Sequence, residues 1–202
     1  RLLPRDRQTL LFSATMPESI LKLASSYMKL PIHVEIAKSG TVAEQISQEL
    51  FIVKKEAKRN LLSKLLAQYH GTVLLFSRTK IGARKITRFI RETRHSVAEI
   101  HSDRTLGQRR EALEGFRSGK YRILVATDIA ARGIDVTDIE LVINFDLPDD
   151  SENYVHRIGR TGRAGREGRA ISFATPDQKR DIRDIERLIR KTKKFTDKET
   201  KL

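Results

Sequence analysis

Arginine recurs at every third position from 157 to 169 in the stretch His156-Arg157-Ile158-Gly159-Arg160-Thr161-Gly162-Arg163-Ala164-Gly165-Arg166-Glu167-Gly168-Arg169, and glycine keeps the same period from 159 to 168. A guanidinium is a rigid planar fork that matches two phosphate oxygens, and glycine lets a main chain come close to a ligand. The pattern therefore suits phosphate or nucleic-acid contact. A glycine period of three without proline at the intervening sites cannot make a collagen helix. A flexible basic loop is the competing reading. Against it, the stretch follows a good helix start at Ser151 and precedes an apolar run of strand length, so it is held at both ends.

Two further polar clusters follow apolar runs directly, where open parallel sheets gather their ligands. Thr127-Asp128-Ile129-Ala130-Ala131-Arg132-Gly133-Ile134-Asp135 comes after Arg122 to Ala126. Thr127 or Asp128 makes a good N-cap, and a helix starting there points free N–H groups and a partial positive charge outward, which suits a phosphate. The Asp128 carboxylate disfavours an anion right beside it, and a capped helix with an Arg132 to Asp135 ion pair is the plainer alternative. His101, Asp103, Arg104 and Arg109 follow the run ending at Ile100, and spacing alone favours a solvated loop and helix start there. The histidines at 33, 70, 95, 101 and 156 show no helical pairing with carboxylates, so no metal site is expected.

The elements that must carry these clusters alternate strand-length apolar runs with stretches of helical period, the pattern of an α/β domain with a parallel sheet flanked by helices. Strands are predicted at Gln48 to Val53, Thr72 to Ser77, Val97 to Ile100, Arg122 to Ala126, Leu141 to Asn144 and Ala170 to Ala174. The clearest helix is predicted at Glu56 to Tyr69, where Leu61, Leu62, Leu65, Leu66 and Tyr69 share one stripe. Others are predicted around Ile81 to Ile90, Leu113 to Phe116 and Ile182 to Ile189. Residues 1–36 read separately, as a strand at Thr9 to Phe12, a helix at Glu18 to Met28 and a short strand after Pro31, too few elements to close a sheet. Residues 37–45 have linker composition around Gly40, 46–194 form one complete lobe, and the polar 195–202 begin a frayed tail.

Composition bounds the partners. Forty Lys and Arg against twenty-six Asp and Glu leave a net charge of +14 over 202 residues, which calls for a polyanionic partner. Arg outnumbers Lys by 24 to 16, favouring bidentate phosphate recognition. No cysteine is present, so disulfides, thiolate nucleophiles and Cys-based zinc sites are excluded. The longest apolar runs are strand-sized, far below the ~20 residues a spanning helix needs, so a soluble protein without a membrane partner is expected. The chain opens on Arg1 without an initiator Met or a signal-peptide pattern and reads as a piece of a longer protein.

Together these segments resemble the signature set of DEAD-box RNA helicases of superfamily 2. Ser13-Ala14-Thr15 resembles motif III, Leu75-Phe76-Ser77-Arg78-Thr79 motif IV, Ala126 to Asp135 motif V, and His156 to Arg163 motif VI, which is the most specific of the four. The Ala130-Ala131-Arg132-Gly133 form and the compact loops look most like the bacterial RhlE-type branch. The resemblance implies that residues 46–194 are the second RecA-like lobe and residues 1–36 the closing segment of the first. It implies ATP with Mg²⁺ in the cleft between lobes, and RNA, single-stranded or in a short duplex, bound through its backbone. Arg160 and Arg163 would be arginine fingers at the γ-phosphate, Asp135 would contact the ribose, and His156 would couple the lobes, with Ser13 and Thr15 relaying between ATP and RNA. Thr127 and Gly133, with Ser77 or Arg78, and Arg109 in its own segment, would face the RNA backbone. A cytoplasmic location would follow.

The chain departs from the family pattern where His-Gly-Asp followed by Gln-x-x-Arg is usual. Ser102 replaces the glycine and Leu106 the glutamine, while Arg109 keeps the arginine. No Gly-x-x-x-x-Gly-Lys-Ser/Thr loop, Asp-Glu-Ala-Asp box or upstream adenine-reading motif occurs in these residues. The phosphate cradle and the Mg²⁺ ligands are therefore expected in the missing first lobe, and these residues alone should not hydrolyse ATP. The resemblance leads to the C-terminal part of an ATP-dependent RNA helicase that remodels RNA by ATP-gated closure of two lobes. The alternatives are a superfamily 2 DNA helicase or translocase, against which His156 speaks, and a non-enzymatic RNA-binding module.

Overall fold

A computed structural model describes residues 4, 6–13, 16, 18–34, 46–131, 136, 139–162, 166–189 and 196–197. The chain divides into two compact units, Arg1–Thr41 and Val42–Leu202. In the first, the described element is helix α1 (Glu18–Tyr27). Neither strand expected in this unit forms among the described residues. Leu10 and Phe12 stand 66% and 88% exposed, and Ile32 and Val34 are likewise in solvent. A strand needs a ladder partner to satisfy its N–H and C=O groups, and among the described residues these segments have none.

The second unit is a parallel sheet wrapped by helices. In chain order it runs β1 (Ile46–Ile52), a 3₁₀ turn (Lys55–Ala57), α2 (Lys58–Gln68), β2 (Val73–Phe76), α3 (Lys80–Glu92), β3 (Val97–Ile100), α4 (Leu106–Arg117), β4 (Ile123–Ala126), the single turn α5 (Asp128–Ala131), β5 (Leu141–Asn144), α6 (Ser151–Ile158), β6 (Gly168–Ala174), α7 (Lys179–Ile189) and β7 (Thr196–Asp197). The strand order is β3-β4-β2-β5-β6-β1-β7, with every pair parallel. The six expected strands form within a residue or two of the sequence reading. The helix expected over Glu56 to Tyr69 begins instead with the 3₁₀ turn. The tail expected to fray contributes β7, whose Thr196 and Asp197 register against Glu49 and Leu50 of β1. A free parallel edge can recruit even a polar two-residue segment, because the ladder bonds are main-chain.

The four-residue strands β2 to β5 are buried on both faces, as parallel strands under helices must be. Alternation sends Val73 and Leu75 into the core under α2 and α3, and Leu74 and Phe76 into the core under α4 to α7. Helix starts follow their sequence signals. Thr79 caps α3 by accepting from Gly82 N–H at 2.9 Å, and Thr105 and Gln108 form a reciprocal capping box on α4. Because all strands run one way, every carboxyl end lies along one edge of the sheet. Ser77, His101, Thr127 and Phe145 follow directly there.

Candidate functional site

The carboxyl edge is organised by a carboxylate to which the sequence reading assigned no role. Asp146 lies two residues past β5. It accepts from Ser77 Oγ and from the main-chain N–H of Arg78, both at 3.2 Å, and from Lys58 Nζ at 3.2 Å. Lys58 also donates to Phe145 O at 2.7 Å and is buried, so the ammonium and carboxylate compensate each other away from bulk water. Ser77 is fully buried and its hydroxyl is engaged, whereas Arg78 presents its guanidinium at the surface, held by Leu147 O at 3.1 Å and by Asp149 at 3.1 Å. Of the two residues, Arg78 is the one that can meet a ligand.

Arg157 is the largest fully buried side chain of the unit, 2% exposed. Its fork grips Asp128 with Nε to Oδ1 at 2.6 Å and Nη2 to Oδ2 at 2.7 Å. Nη1 donates to Asp146 O at 2.6 Å and to Asn144 Oδ1 at 3.2 Å. The plane also lies 5.0 Å from the Phe76 ring centroid, and Asn144 is itself braced by Ser172 at 3.0 Å. The first arginine of the ladder is thus not a phosphate ligand. It rivets the start of α5 to α6 and consumes the Asp128 charge that had argued against an anion nearby.

The cluster after β3 is more built than its spacing suggested. Asp103 takes Lys80 at 2.8 Å and also pairs with Arg84, and the Lys80 hydrogen bond foremost holds its carboxyl below the usual carboxylate range. Arg104 pairs with Glu99. His101 is fully buried, and its Nδ1 accepts from Asp103 N–H at 3.2 Å, which leaves the proton of the neutral ring on Nε2, 3.8 Å from Glu99. Burial lowers the His101 pKa more than the facing Glu99 carboxylate raises it. Arg109, half-buried in the first turn of α4, has an Nε without a protein partner, and Leu106 is exposed.

The rest of the ladder leaves this edge. After the eight-residue α6, Thr161 is buried and its Oγ1 donates to Ile139 O and, at 3.3 Å, to Glu140 O, just ahead of β5. Gly162 takes φ +67°, and a Cβ there would sit 2.7 Å from Ile46 Cγ1, at the first residue of β1. A Cβ on Gly168 would lie 2.4 Å from Gly162 N. Glycine at both positions lets Gly162 come close to Gly168 and Ile46 at the amino edge of the sheet. Arg160, just ahead of Thr161, is half-buried, and His156 is half-buried on α6. Ser13 is exposed in the first unit, and Thr127 is half-buried with its N–H bonded to Ile100 O at 3.3 Å. Thr15, Gly133, Asp135 and Arg163 lie outside the described residues, as does the Arg132 to Asp135 pair. Ser77, Arg78 and Thr127 thus share the carboxyl edge, while Arg160 lies at the opposite one.

Asp146 was findable, because it follows a strand just as the chosen clusters do. Nothing in the sequence marked Lys58 as a buried cation. Among the described residues no group of three or more His, Asp or Glu side chains could hold a metal ion, and no helix is long and apolar enough to cross a membrane.

A parallel RecA-like sheet carrying these stretches along its edges defines a helicase lobe. The chain belongs to the family of the helicase conserved C-terminal domain, whose model matches residues 57–165, and it is the DEAD-box form of that domain. It is 43% identical over 188 residues to the ATP-dependent RNA helicase DbpA of Bacillus subtilis, covering 93% of this chain and 39% of that protein. It is 41% identical over 177 residues to the ATP-dependent RNA helicase vasa of Drosophila melanogaster, covering 88% of this chain and 27% of that one. Among solved structures, Dbp5 of S. cerevisiae bound to RNA and ADP BeF3 superposes with a TM-score of 0.85 at 30% identity, over 98% of this chain and 52% of that chain. The chain therefore spans about two fifths or less of these curated relatives.

Proposed function

We propose that this chain is the C-terminal part of an ATP-dependent RNA helicase of the cytoplasm, in which RNA binds the carboxyl edge of the sheet and the nucleotide's phosphates meet the amino edge. The observation that carries this reading is the Arg157 to Asp128 grip. The stretch resembling motif V starts at the carboxyl edge, and α6, in the stretch resembling motif VI, spans about 12 Å from that edge to the amino edge. Riveted by a buried bidentate pair, they move as one body, so an RNA phosphate held by Arg78 and Thr127 and a nucleotide phosphate facing Arg160 and Arg163 are mechanically joined.

The residues fit an ATP phosphate on the described side. Arg160 directly precedes Thr161 and Gly162, which are held against Glu140 and Gly168, and a guanidinium there would supply charge where negative charge develops in phosphoryl transfer. Asp135 would take the ribose, Arg109 and Gly133 further RNA phosphates, and Ser13, Thr15 and His156 the contact between lobes. Mg²⁺ ligands and the phosphate cradle would come from a first lobe. The Ala130-Ala131-Arg132-Gly133 form supports an RhlE-type affiliation. The reading is tested by RNA binding of this chain in a salt series together with phosphate release. Weak, sequence-indifferent binding that falls with salt, without hydrolysis, agrees with it. Turnover by the chain alone, or tight binding to one sequence at high salt, contradicts it.

A further inference from the structure

The helix α3 carries five cations and one carboxylate in thirteen residues, Lys80-Ile81-Gly82-Ala83-Arg84-Lys85-Ile86-Thr87-Arg88-Phe89-Ile90-Arg91-Glu92. Of these cations, the assignments above use only Lys80 and Arg84. Lys80, Arg84, Arg88 and Arg91 are spaced by four, four and three residues, so they fall within one narrow stripe that climbs the helix in steps of about 6 Å. The stripe has a fixed orientation. Lys80 and Arg84 reach Asp103 at the carboxyl end of β3, so it lies on the flank of α3 that faces this strand. That strand ends the sheet order, so the stripe follows the sheet's free side. It starts at the carboxyl edge and runs away from it. Arg88 and Arg91 are exposed, and no hydrogen bond or ion pair ties either of them among the described residues.

A line of cations held rigidly by a helix suits a line of phosphates held rigidly by a duplex. Flexible single strands can follow a bent groove, whereas A-form RNA offers proteins its phosphates and 2′-hydroxyls as a stiff surface read by shape. Three of the four stripe residues are arginine, whose fork matches phosphate oxygens better than an ammonium does. Duplex RNA therefore complements the stripe in charge, in stiffness and in its continuity with the edge at which Arg78 sits. We propose that the α3 stripe, through Arg88 and Arg91, is a docking track for the phosphate backbone of duplex RNA flanking the strand held at the carboxyl edge. This deepens the functional reading above and rests on it. The other use of such charges is to blunt the free edge of β3 against pairing with a second copy.

The test compares two RNAs on this chain by fluorescence anisotropy: a ten-nucleotide single strand, and the same strand continued into a stable hairpin. The unmodified chain should bind the hairpin RNA more tightly, on the order of tenfold at moderate salt. Its log–log salt slope should be steeper by about 1.8, since each duplex phosphate neutralised adds about 0.9. The double variant Arg88→Glu with Arg91→Glu should lose this increment and bind the bare strand as before. Lys179→Glu with Arg183→Glu, the same charge change on exposed positions of α7, should keep it. Single-strand binding without any hairpin increment in the unmodified chain overturns the track alone. Absence of all RNA binding overturns the functional reading together with it. Equal loss of both RNAs in the α3 variant shows a general charge effect and overturns the track, as does self-association of that variant with the increment intact. Displacement of the hairpin by poly-glutamate as effectively as by unlabelled duplex shows a generic polyanion surface or an acidic protein partner, and overturns the commitment to RNA.

Discussion

Replacing Arg157 by alanine strands every group that its guanidinium serves. The Asp128 carboxylate, three-quarters buried, loses two charge-assisted bonds, and Asp146 O and Asn144 Oδ1 lose one each. Removing one partner of a buried pair costs about 3–5 kcal/mol, because the other charge is left uncompensated. Four separate bonds at roughly 1 kcal/mol each, about 4 kcal/mol together, fall in the same range, and the two estimates describe one effect rather than adding. For a unit of this size 1 kcal/mol moves the melting temperature by ~2–4 °C, so the variant should melt roughly 6–20 °C below the parent. Arg157→Lys keeps the charge but loses the fork and should recover less than half of the loss. In a urea double-mutant cycle with Asp128→Ala, the coupling should lie at about 2–3 kcal/mol. Melting of Arg157→Ala within ~2 °C of the parent, or coupling below ~0.5 kcal/mol, would refute the rivet.

Asp146→Ala should leave the Lys58 ammonium buried without its counter-charge and release Ser77 and Arg78. A destabilisation of about 3 kcal/mol is expected from the urea midpoint, with Asp146→Asn milder. Gly162→Ala should cost about 2–4 kcal/mol in the same assay, from the positive φ and the encroachment on Ile46; an unchanged midpoint would mean that the loop does not hold this conformation. The pKa values of His95 and His101 are both lowered from 6.5, chiefly by burial. The unfolded chain therefore takes up their protons first as pH falls. Stability should be fully present above about pH 6.5 and decline below it. His101→Asn, whose amide oxygen can replace Nδ1 as acceptor for Asp103 N–H, should flatten that decline, and an unaltered slope would exclude His101 as a contributor.

What was legible in the sequence follows the physics that each feature uses. The strands β2 and β4 are short, uninterrupted apolar runs, and β3 and β5 carry one polar residue each, Glu99 and Asn144; burial on both faces demands such a pattern, so all four were placed within a residue. The caps at Thr79 and Thr105 are local bonds and were findable, although the sequence reading did not single them out. Hidden features were those decided by distant partners. Leu10 to Phe12 has strand composition, but no pairing partner exists among the described residues, and β7 has no strand composition yet finds a free edge. The arginine ladder was visible as a ladder, but its division of labour was not. Arg157 is buried because Asp128, 29 residues away, meets it, and the loop reaches the amino edge because Thr161 finds the carbonyls of Ile139 and Glu140. Periodicity reports residue type, whereas a role depends on which side of a sheet the chain happens to be crossing.

The most direct measurement of the central claim is RNA-stimulated ATP hydrolysis by the two-lobe protein, with each ladder arginine replaced in turn. Arg163→Ala should lower hydrolysis on the order of 10³-fold while barely changing RNA affinity in the absence of nucleotide, as loss of a catalytic arginine requires. Arg163→Lys should not restore it. Arg166→Ala, at the same amino edge but past the motif, should leave both turnover at saturating RNA and RNA affinity near those of the parent. If alanine at positions 160, 163, 166 and 169 weakens RNA binding equally and leaves hydrolysis intact, the ladder is a basic loop and the assignment of nucleotide phosphates to the amino edge is wrong.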